Sequence, residues 1–146
     1  GTEPMLDRRT FIVLPAAFAA GPVLAHSYRH RDIMIGHAWC LPSEAASTRA
    51  FMPLAVVQDR PDALIAATTP VAGAVDFRPV ANGPAAARWD LVPRRPVGMR
   101  TDGPHLLLTG LTRPLRIRDR FPLTLVFERN GAKEIEVWVE RAPYSS

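Results

Sequence analysis

Residues 103–111 read Gly-Pro-His-Leu-Leu-Leu-Thr-Gly-Leu. A turn signal, Thr-Asp-Gly-Pro at 101–104, runs into this stretch. The apolar run after the turn predicts a short strand, with His105 at the start of the strand and not in its middle. An imidazole at the mouth of a strand can face a ligand, so His105 is the first candidate functional residue.

Three further segments stand in a characteristic order around this strand. They read Ala-Thr-Thr-Pro-Val-Ala-Gly-Ala-Val at 67–75, Arg-Pro-Leu at 113–115 and Phe-Pro-Leu-Thr-Leu-Val-Phe-Glu at 121–128. Together with 103–111 they resemble the PCuAC-type periplasmic copper chaperones. The resemblance implies an all-β, cupredoxin-like sandwich or barrel of about eight to nine strands. It also implies copper binding and delivery, for example to a cytochrome oxidase copper centre.

The family's copper ligands can be placed on this sequence, which departs from most of them. By resemblance, the family carries a His-x-Met pair on the strand after the turn and another ligand histidine on the strand upstream. His105 matches, but Leu107 replaces the methionine and Arg78 replaces the upstream histidine. Arginine stays protonated and has no lone pair for a metal, whereas thioethers select Cu(I). The chain therefore resembles a divergent member whose site is weakened or rebuilt.

Other metal candidates lie near the expected mature N-terminus and just before the His105 strand. His26, if processing exposes it, would offer an amine and a ring nitrogen to Cu(II), with His30 or His37 completing a nitrogen-rich site. Met99 is the nearest remaining sulfur by sequence, and core packing is the favoured interpretation of it. The copper candidates, for Cu(I) or Cu(II), are thus His105, His26, His30, His37 and Met99. The competing interpretation of each histidine is a solvated or turn-bonding imidazole.

Residues 5–25 are predicted to be an export signal. Arg-Arg-Thr-Phe-Ile at 8–12 is a twin-arginine pattern, and the apolar run at 11–24 leads to a small-residue cleavage site at 23–25. Asp7 stands where such signals usually carry Ser or Thr, so an ordinary secretory route is the alternative. A buried N-terminal helix is the competing structural interpretation.

Cleavage before His26 divides the chain into residues 1–25 and a single PCuAC-type domain at 26–146. Residues 1–4 precede a candidate initiator, Met5, and are interpreted as residues added ahead of the natural start. No lipid-attachment cysteine follows the cleavage site. We therefore expect a periplasmic product that does not span the membrane after the signal is removed.

Charge and periodicity point to a protein partner. The net charge is +4, a mild basicity that suits an acidic partner and is weak support for nucleic acid binding. Arg116, Arg118 and Arg120 alternate with Leu115, Ile117 and Asp119 and predict one basic strand face, either solvated or a docking patch. With Arg78 they are the candidate partner-binding residues. The expected partner is a copper-accepting periplasmic or membrane-anchored protein, and no nucleic acid.

The remaining patterns predict strands separated by turns. Ile135, Val137 and Val139 are expected to point inward and Trp138 outward, after an Asn-Gly hairpin turn at 129–132. A first strand is predicted from Ile33 and Ile35, with Trp39 closing it into the core, and further strands are predicted at 49–57, 63–68, 73–80, 97–100 and 115–120, with a hairpin over 81–92. The single cysteine, Cys40, excludes an intramolecular disulfide and is expected to be buried.

No hydrolase, phosphate-binding, dinucleotide-binding or Cys-x-x-Cys motif is present, so an enzyme is not expected. Two alternatives to the copper chaperone remain. One is a non-metal interaction module in which Arg78, Trp89 and His105 line a surface for an anionic ligand or a protein. The other is a copper oxidase or oxygenase with a terminal-histidine brace, which requires His26. Histidines converging with His26 would favour copper, whereas Arg78 beside His105 would favour the module.

Overall fold

The computed structural model describes residues 27–143, which form eleven strands and no helix. The predicted all-β sandwich or barrel is confirmed. Within this part of the chain no helix is long and apolar enough to cross a membrane. The strands are β1 (Tyr28–His30), β2 (Ile33–Ile35), β3 (Trp39–Cys40), β4 (Ser47–Phe51), β5 (Leu54–Val56), β6 (Asp62–Thr68), β7 (Ala72–Arg78), β8 (Trp89–Leu91), β9 (His105–Leu111), β10 (Arg120–Phe127) and β11 (Gly131–Val139).

Eight strands form one sheet in the order β7-β9-β4-β3-β11-β10-β6-β8, and β1-β2-β5 form a smaller sheet. The large sheet curls toward closure, because Phe77 on the edge strand β7 makes a bridge to Ala86, three residues before β8 begins at Trp89. Ile33 and Ile35 of the small sheet are fully buried and join the same hydrophobic core. Both sheets therefore enclose one apolar interior.

The predicted alternation and hairpin in the last third of the chain are confirmed. Ile135, Val137 and Val139 are buried, while Trp138 lies on the other face and is partly exposed. The turn between β10 and β11 places Gly131 at φ +76°, a left-handed conformation that glycine adopts without a steric penalty. Strands with one face on the core bury alternate residues, so this hairpin supplies much of the interior.

The strand predicted at 115–120 is wrong. The Asp119 N–H donates to the Arg116 carbonyl at 2.9 Å, and the Asp119 carboxylate accepts the Arg116 N–H at 2.8 Å. A side chain that captures a nearby backbone N–H competes with the strand ladder, and here it closes a turn. Arg116, Arg118 and Arg120 are exposed, but only Arg120 belongs to a strand, so they do not form the predicted strand face.

Two other strand predictions need correction. The predicted strand at 49–57 is divided between β4 and β5 around Pro53, which has no N–H for a ladder. The predicted strand at 97–100 is reduced to one isolated bridge between Val97 and Leu54. Gly98 to Arg100 continue as irregular chain.

A buried carboxylate, Asp62, holds the turn between β10 and β11. Only 5% of Asp62 is exposed. Its oxygens accept the backbone N–H groups of Ala63 at 2.8 Å, Arg129 at 2.7 Å and Asn130 at 3.2 Å, and the Asn130 side-chain amide at 2.6 Å. Since a buried charge is tolerated only when its lone pairs are used, these donors are what allow the carboxylate to be there.

The same network reaches the small sheet. Asn130 accepts the Asp32 N–H on its side-chain oxygen at 3.4 Å and the His30 Nε2–H on its carbonyl at 2.8 Å. Arg129 adds an ion pair with Asp32 at 3.4 Å. The β1–β2 hairpin is therefore fastened to the β10–β11 turn through Asn130 and Arg129.

The stability that this network contributes depends on pH through the ionisation of Asp62. Burial by itself raises the pKa of Asp62, but the hydrogen bonds from Arg129, Asn130 and Ala63 outweigh it and hold the pKa below its usual value. A group with a lower pKa in the folded state contributes stability above its unfolded pKa, and that contribution is lost as pH falls through the folded pKa. Acidification should therefore weaken this network.

We expect Asp62→Asn to lower the free energy of unfolding by about 2–3 kcal/mol, because an amide nitrogen would face N–H donors. The variant should also lose the part of the pH dependence that wild type shows below about pH 4. Urea denaturation between pH 3 and pH 7 measures both effects. Asp59→Asn, which alters an exposed carboxylate paired with Arg94, is the matched control and should stay close to wild type. Wild-type stability in Asp62→Asn would contradict the assignment.

Candidate functional site

His105 begins β9, which lies between β7 and β4, and only 4% of the residue is exposed. Its Nδ1 lies 2.9 Å from the carbonyl oxygen of Gly103. Because a carbonyl only accepts, Nδ1 carries the hydrogen, and Nε2 of the neutral ring keeps its lone pair. A backbone carbonyl on the other ring nitrogen is the arrangement that orients metal-binding histidines.

The turn before β9 presents that carbonyl. The Gly103 N–H donates to the Arg100 carbonyl at 3.0 Å, and the Arg100 N–H donates to the Pro104 carbonyl at 3.0 Å. The predicted turn at 101–104 and the position of His105 at the strand mouth are both confirmed. The imidazole does bond to the adjacent turn, and this bond leaves Nε2 free for a ligand.

An aromatic row packs beside His105 at this end of the sheet. The Phe51 ring centroid lies 6.3 Å from that of His105, and Trp39 lies 4.5 Å from Phe51. Trp39 pairs in register with Trp138, and the Arg120 guanidinium stands 4.4 Å over the Trp138 ring. Sequence reasoning missed this row, because its members come from five strands and only the register brings them together.

Arg78 pairs directly opposite His105 in the β7–β9 register. Its Nη1 donates to the Gly83 carbonyl at 2.9 Å, and its Nη2 lies 3.6 Å from an Asp76 oxygen. Its buried Nε has no hydrogen-bond partner among residues 27–143. A fixed cation here opposes a metal ion, although Asp76 offsets part of the charge. This pairing favours the interaction module, but Trp89 is 7% exposed within the core and does not line such a surface.

Leu107 lies on the same strand face as His105, two residues along, and pairs with Asp76. Its aliphatic side chain offers no lone pair. Across residues 27–143 no three His, Cys, Asp or Glu side chains gather into a group that could hold a metal ion. The described residues at this site therefore supply one nitrogen donor, and a bound copper ion would need its other ligands from elsewhere.

The other described histidines have structural partners of their own. His30 Nε2 donates to the Asn130 carbonyl, and His37 Nε2 lies 2.9 Å from a Glu140 oxygen. The structure does not bring His30, His37 and His105 into one group. His26 lies outside the described residues, so its metal-binding role and the terminal-histidine brace stay predictions.

The two sulfur residues Met99 and Cys40 differ in their surroundings. Met99 is partly buried and packs against the core, so its metal-binding role stays a prediction. Cys40 is fully buried, as expected. Burial, with a smaller contribution from the charge of Asp119, raises the pKa of Cys40 to about 12. The thiol is therefore protonated at neutral pH and is a poor copper ligand.

The arginines around the 116–119 turn have different partners. Arg116 lies 3.9 Å from Glu44, and Arg120 lies 4.0 Å from Glu136 besides stacking on Trp138. Their role in binding a partner stays a prediction.

The chain resembles known proteins both in sequence and in fold. The chain matches the family model of LpqE-like lipoproteins over residues 33–139, and no curated protein sequence matches it. The copper-bound PCuAC domain from PmoF2 is 30% identical, covers 81% of this chain and 99% of that domain, and superposes with a TM-score of 0.72. The apo PCuAC domain from PmoF1 is 21% identical, covers 81% of this chain and all of that domain, and has a TM-score of 0.73.

A third structure extends the comparison. Cu(I)-bound DR1885 from Deinococcus radiodurans is 26% identical, covers 70% of this chain and 74% of that chain, and has a TM-score of 0.56. The fold expected from the sequence resemblance is thereby confirmed.

The Gly103 hydrogen bond predicts one tautomer for His105. We expect long-range nitrogen–proton NMR spectra of the neutral ring to show a protonated Nδ1 and an unprotonated Nε2, because the Gly103 carbonyl can only accept. His30, whose Nε2 faces the Asn130 carbonyl, should show Nε2 protonated and serves as an internal comparison. A His105 ring with its hydrogen on Nε2 would contradict the orientation of the site.

Proposed function

The chain belongs to the LpqE-like family and carries a PCuAC-type domain, and from this premise we propose that it is a periplasmic copper-binding accessory protein with a reduced site. His105 is the retained donor. The observation that carries the proposal is the Gly103 carbonyl on Nδ1, which orients the ring and leaves the Nε2 lone pair available. Export through the predicted signal at residues 5–25 is part of the proposal.

The donor chemistry predicts which copper ion binds. Leu107 stands where the resemblance implies a soft thioether ligand, and Arg78 stands where it implies a second imidazole. Imidazole and amine nitrogens suit Cu(II), whereas thioethers select Cu(I). We propose that His26, with its terminal amine, supplies the further donors, so the preference moves toward Cu(II).

Copper is cargo in this proposal, and no catalysis is assigned. A site with few donors close to the surface releases its ion by ligand exchange, one ligand at a time, to a partner with better donors. The proposed recipient is a periplasmic or membrane-anchored copper protein, for example a cytochrome oxidase copper centre. Weak binding would be useful for such a transfer, since a tightly closed site would retain the ion.

The Arg78–His105 pairing supports a second candidate. A guanidinium fixed opposite an imidazole suits a carboxylate or another anion better than a cation. Under this alternative the same end of the sheet binds a non-metal ligand or a protein in place of copper. Asp76, at 3.6 Å from Arg78, weakens the attraction for a second anion, which is why copper is placed first.

The direct test is a copper titration of the chain that begins at His26, with Cu(I) and Cu(II) added separately in the presence of competing chelators. We expect Cu(II) to bind more tightly than Cu(I), and His105→Ala to weaken Cu(II) binding by about tenfold or more, since one nitrogen ligand is lost. Thr109→Ala, on the same strand, is the matched control and should bind as wild type does. Equal affinity in wild type and His105→Ala would contradict the copper proposal, and absence of copper binding together with carboxylate binding would favour the second candidate.

A gain of function should follow from restoring the missing thioether. We expect Leu107→Met to tighten Cu(I) binding, because a methionine there lies on the strand face of His105 and soft sulfur favours Cu(I). Leu111→Met places an equal sulfur further along the same strand and should have no effect. Competition with a Cu(I) chelator measures the difference, and identical affinities for the two variants would argue against a metal position beside His105.

A further inference from the structure

The turn at 116–119 holds an arginine in an unfavourable backbone conformation. Arg118 has φ +80°, at the third position of a turn closed by the Asp119 N–H and the Arg116 carbonyl. A turn of this kind favours glycine at that position, since a side chain at positive φ crowds the backbone. The sequence keeps an arginine where a glycine would be more stable.

The surrounding contacts hold this turn firmly in place. The Arg118 N–H donates to the Val139 carbonyl at 3.0 Å, and the Val139 N–H donates back to the Asp119 carbonyl at 2.8 Å. The Asp119 carboxylate also takes the Arg116 N–H. A strained residue persists only where its surroundings over-determine it, and such residues are concentrated at functional sites.

The Arg118 guanidinium is exposed and has no carboxylate within 4.0 Å anywhere in residues 27–143. Arg94 provides the contrast. It has φ +67° in a turn of the same kind, closed by Arg95 and Val92, but its charge is paired with Asp59 at 3.2 Å. Arg94 and Arg118 share this turn position, and of these two only Arg118 presents an unpaired charge to solvent. A third arginine at positive φ, Arg31 at +54°, is also exposed and forms no ion pair within residues 27–143, but it lies in the β1–β2 turn, whereas Arg118 lies two residues from Arg120 and its contact with Trp138.

An aromatic platform lies next to this charge. Arg120, two residues after Arg118, stacks on Trp138, which neighbours Trp39 in the row that leads to His105. Tryptophan and arginine side chains are the residues that most often carry binding energy at protein interfaces. Exposed cations around a partly exposed tryptophan suit a partner that presents carboxylates.

We propose that the arginine surface, defined as residues 116–120 together with Trp138, is a docking site for an acidic segment of a partner protein, with Arg118 as its main charged contact. The aromatic row leads from this surface to His105 across the neighbouring strands, so a docked partner would lie at the same end of the sheet as the candidate copper donor. Its use in copper transfer rests on the proposed function, whereas the docking itself does not.

The test measures binding of a fluorescently labelled ten-residue poly-glutamate peptide to the copper-free protein by anisotropy, at low and at physiological salt. Arg118→Gly should raise the melting temperature, because the strain is relieved, and should weaken peptide binding by about two- to fivefold, the usual effect of one exposed charge pair. Arg94→Gly is the matched control, since it relieves the same strain and removes one charge elsewhere. It should also raise the melting temperature and leave the affinity unchanged.

Three outcomes would overturn the proposal. They are no peptide binding by wild type, unchanged affinity in Arg118→Gly, and an equal loss in both variants, which would indicate attraction by net charge alone. Arg118→Lys keeps the charge and should retain most of the affinity, and a loss as large as that of Arg118→Gly would also count against the proposal. Because copper is absent throughout, failure here leaves the copper proposal standing, and failure of the copper titration leaves this one standing.

Discussion

A buried carboxylate that must be hydrogen-bonded organises one end of this protein. Asp62 can be charged inside the fold only because Ala63, Arg129 and Asn130 point their N–H groups at it. To do so, the β10–β11 turn has to close where it does, and Asn130 then has its remaining groups free to hold the small sheet. The register of the β10–β11 hairpin, and with it the position of every residue at its far end, depends on this arrangement.

The functional candidates lie at that far end. The hairpin pairs Phe127 with Gly131 next to Asp62 and Arg120 with Trp138 at the other extreme, about 25 Å away for strands of this length. The Trp138 end leads through Trp39 to His105. One end of the barrel therefore carries the hydrogen-bonded Asp62 network. The other carries an oriented imidazole, an arginine held opposite it and an arginine in a strained turn.

Local sequence patterns predicted the parts of the fold that depend on neighbours along the chain. Alternating apolar residues located β11, and Asn130-Gly131 located its turn, because each signal acts within a few residues. The same logic failed at 115–120, where the alternation was present but the Asp119 side chain captured a backbone N–H and closed a turn. The Asp62 network was not predictable either, since Arg129 and Asn130 are far along the chain from Asp62 and a lone aspartate carries no pattern.

The candidate site was likewise predictable only where it depends on residues close together in the sequence. The turn before His105 and the strand after it predicted where the imidazole lies, and the family resemblance implied its role as a copper ligand. The neighbours of the imidazole could not be predicted, because Phe51 and Trp39 reach it only through strand pairing. Arg78 was predicted to occupy a ligand position, but only the register shows that its side chain starts directly across from His105.

Paramagnetic NMR with Cu(II) tests the central claim, that His105 is the copper donor retained on this fold. Substoichiometric Cu(II) would be added to isotope-labelled protein that begins at His26, and the loss of each backbone signal would be followed. The account predicts that signals of Gly103, His105 and Leu106 broaden first, because an ion on Nε2 lies close to them. Broadening confined to the first residues after His26, with the His105 strand unaffected, would contradict it.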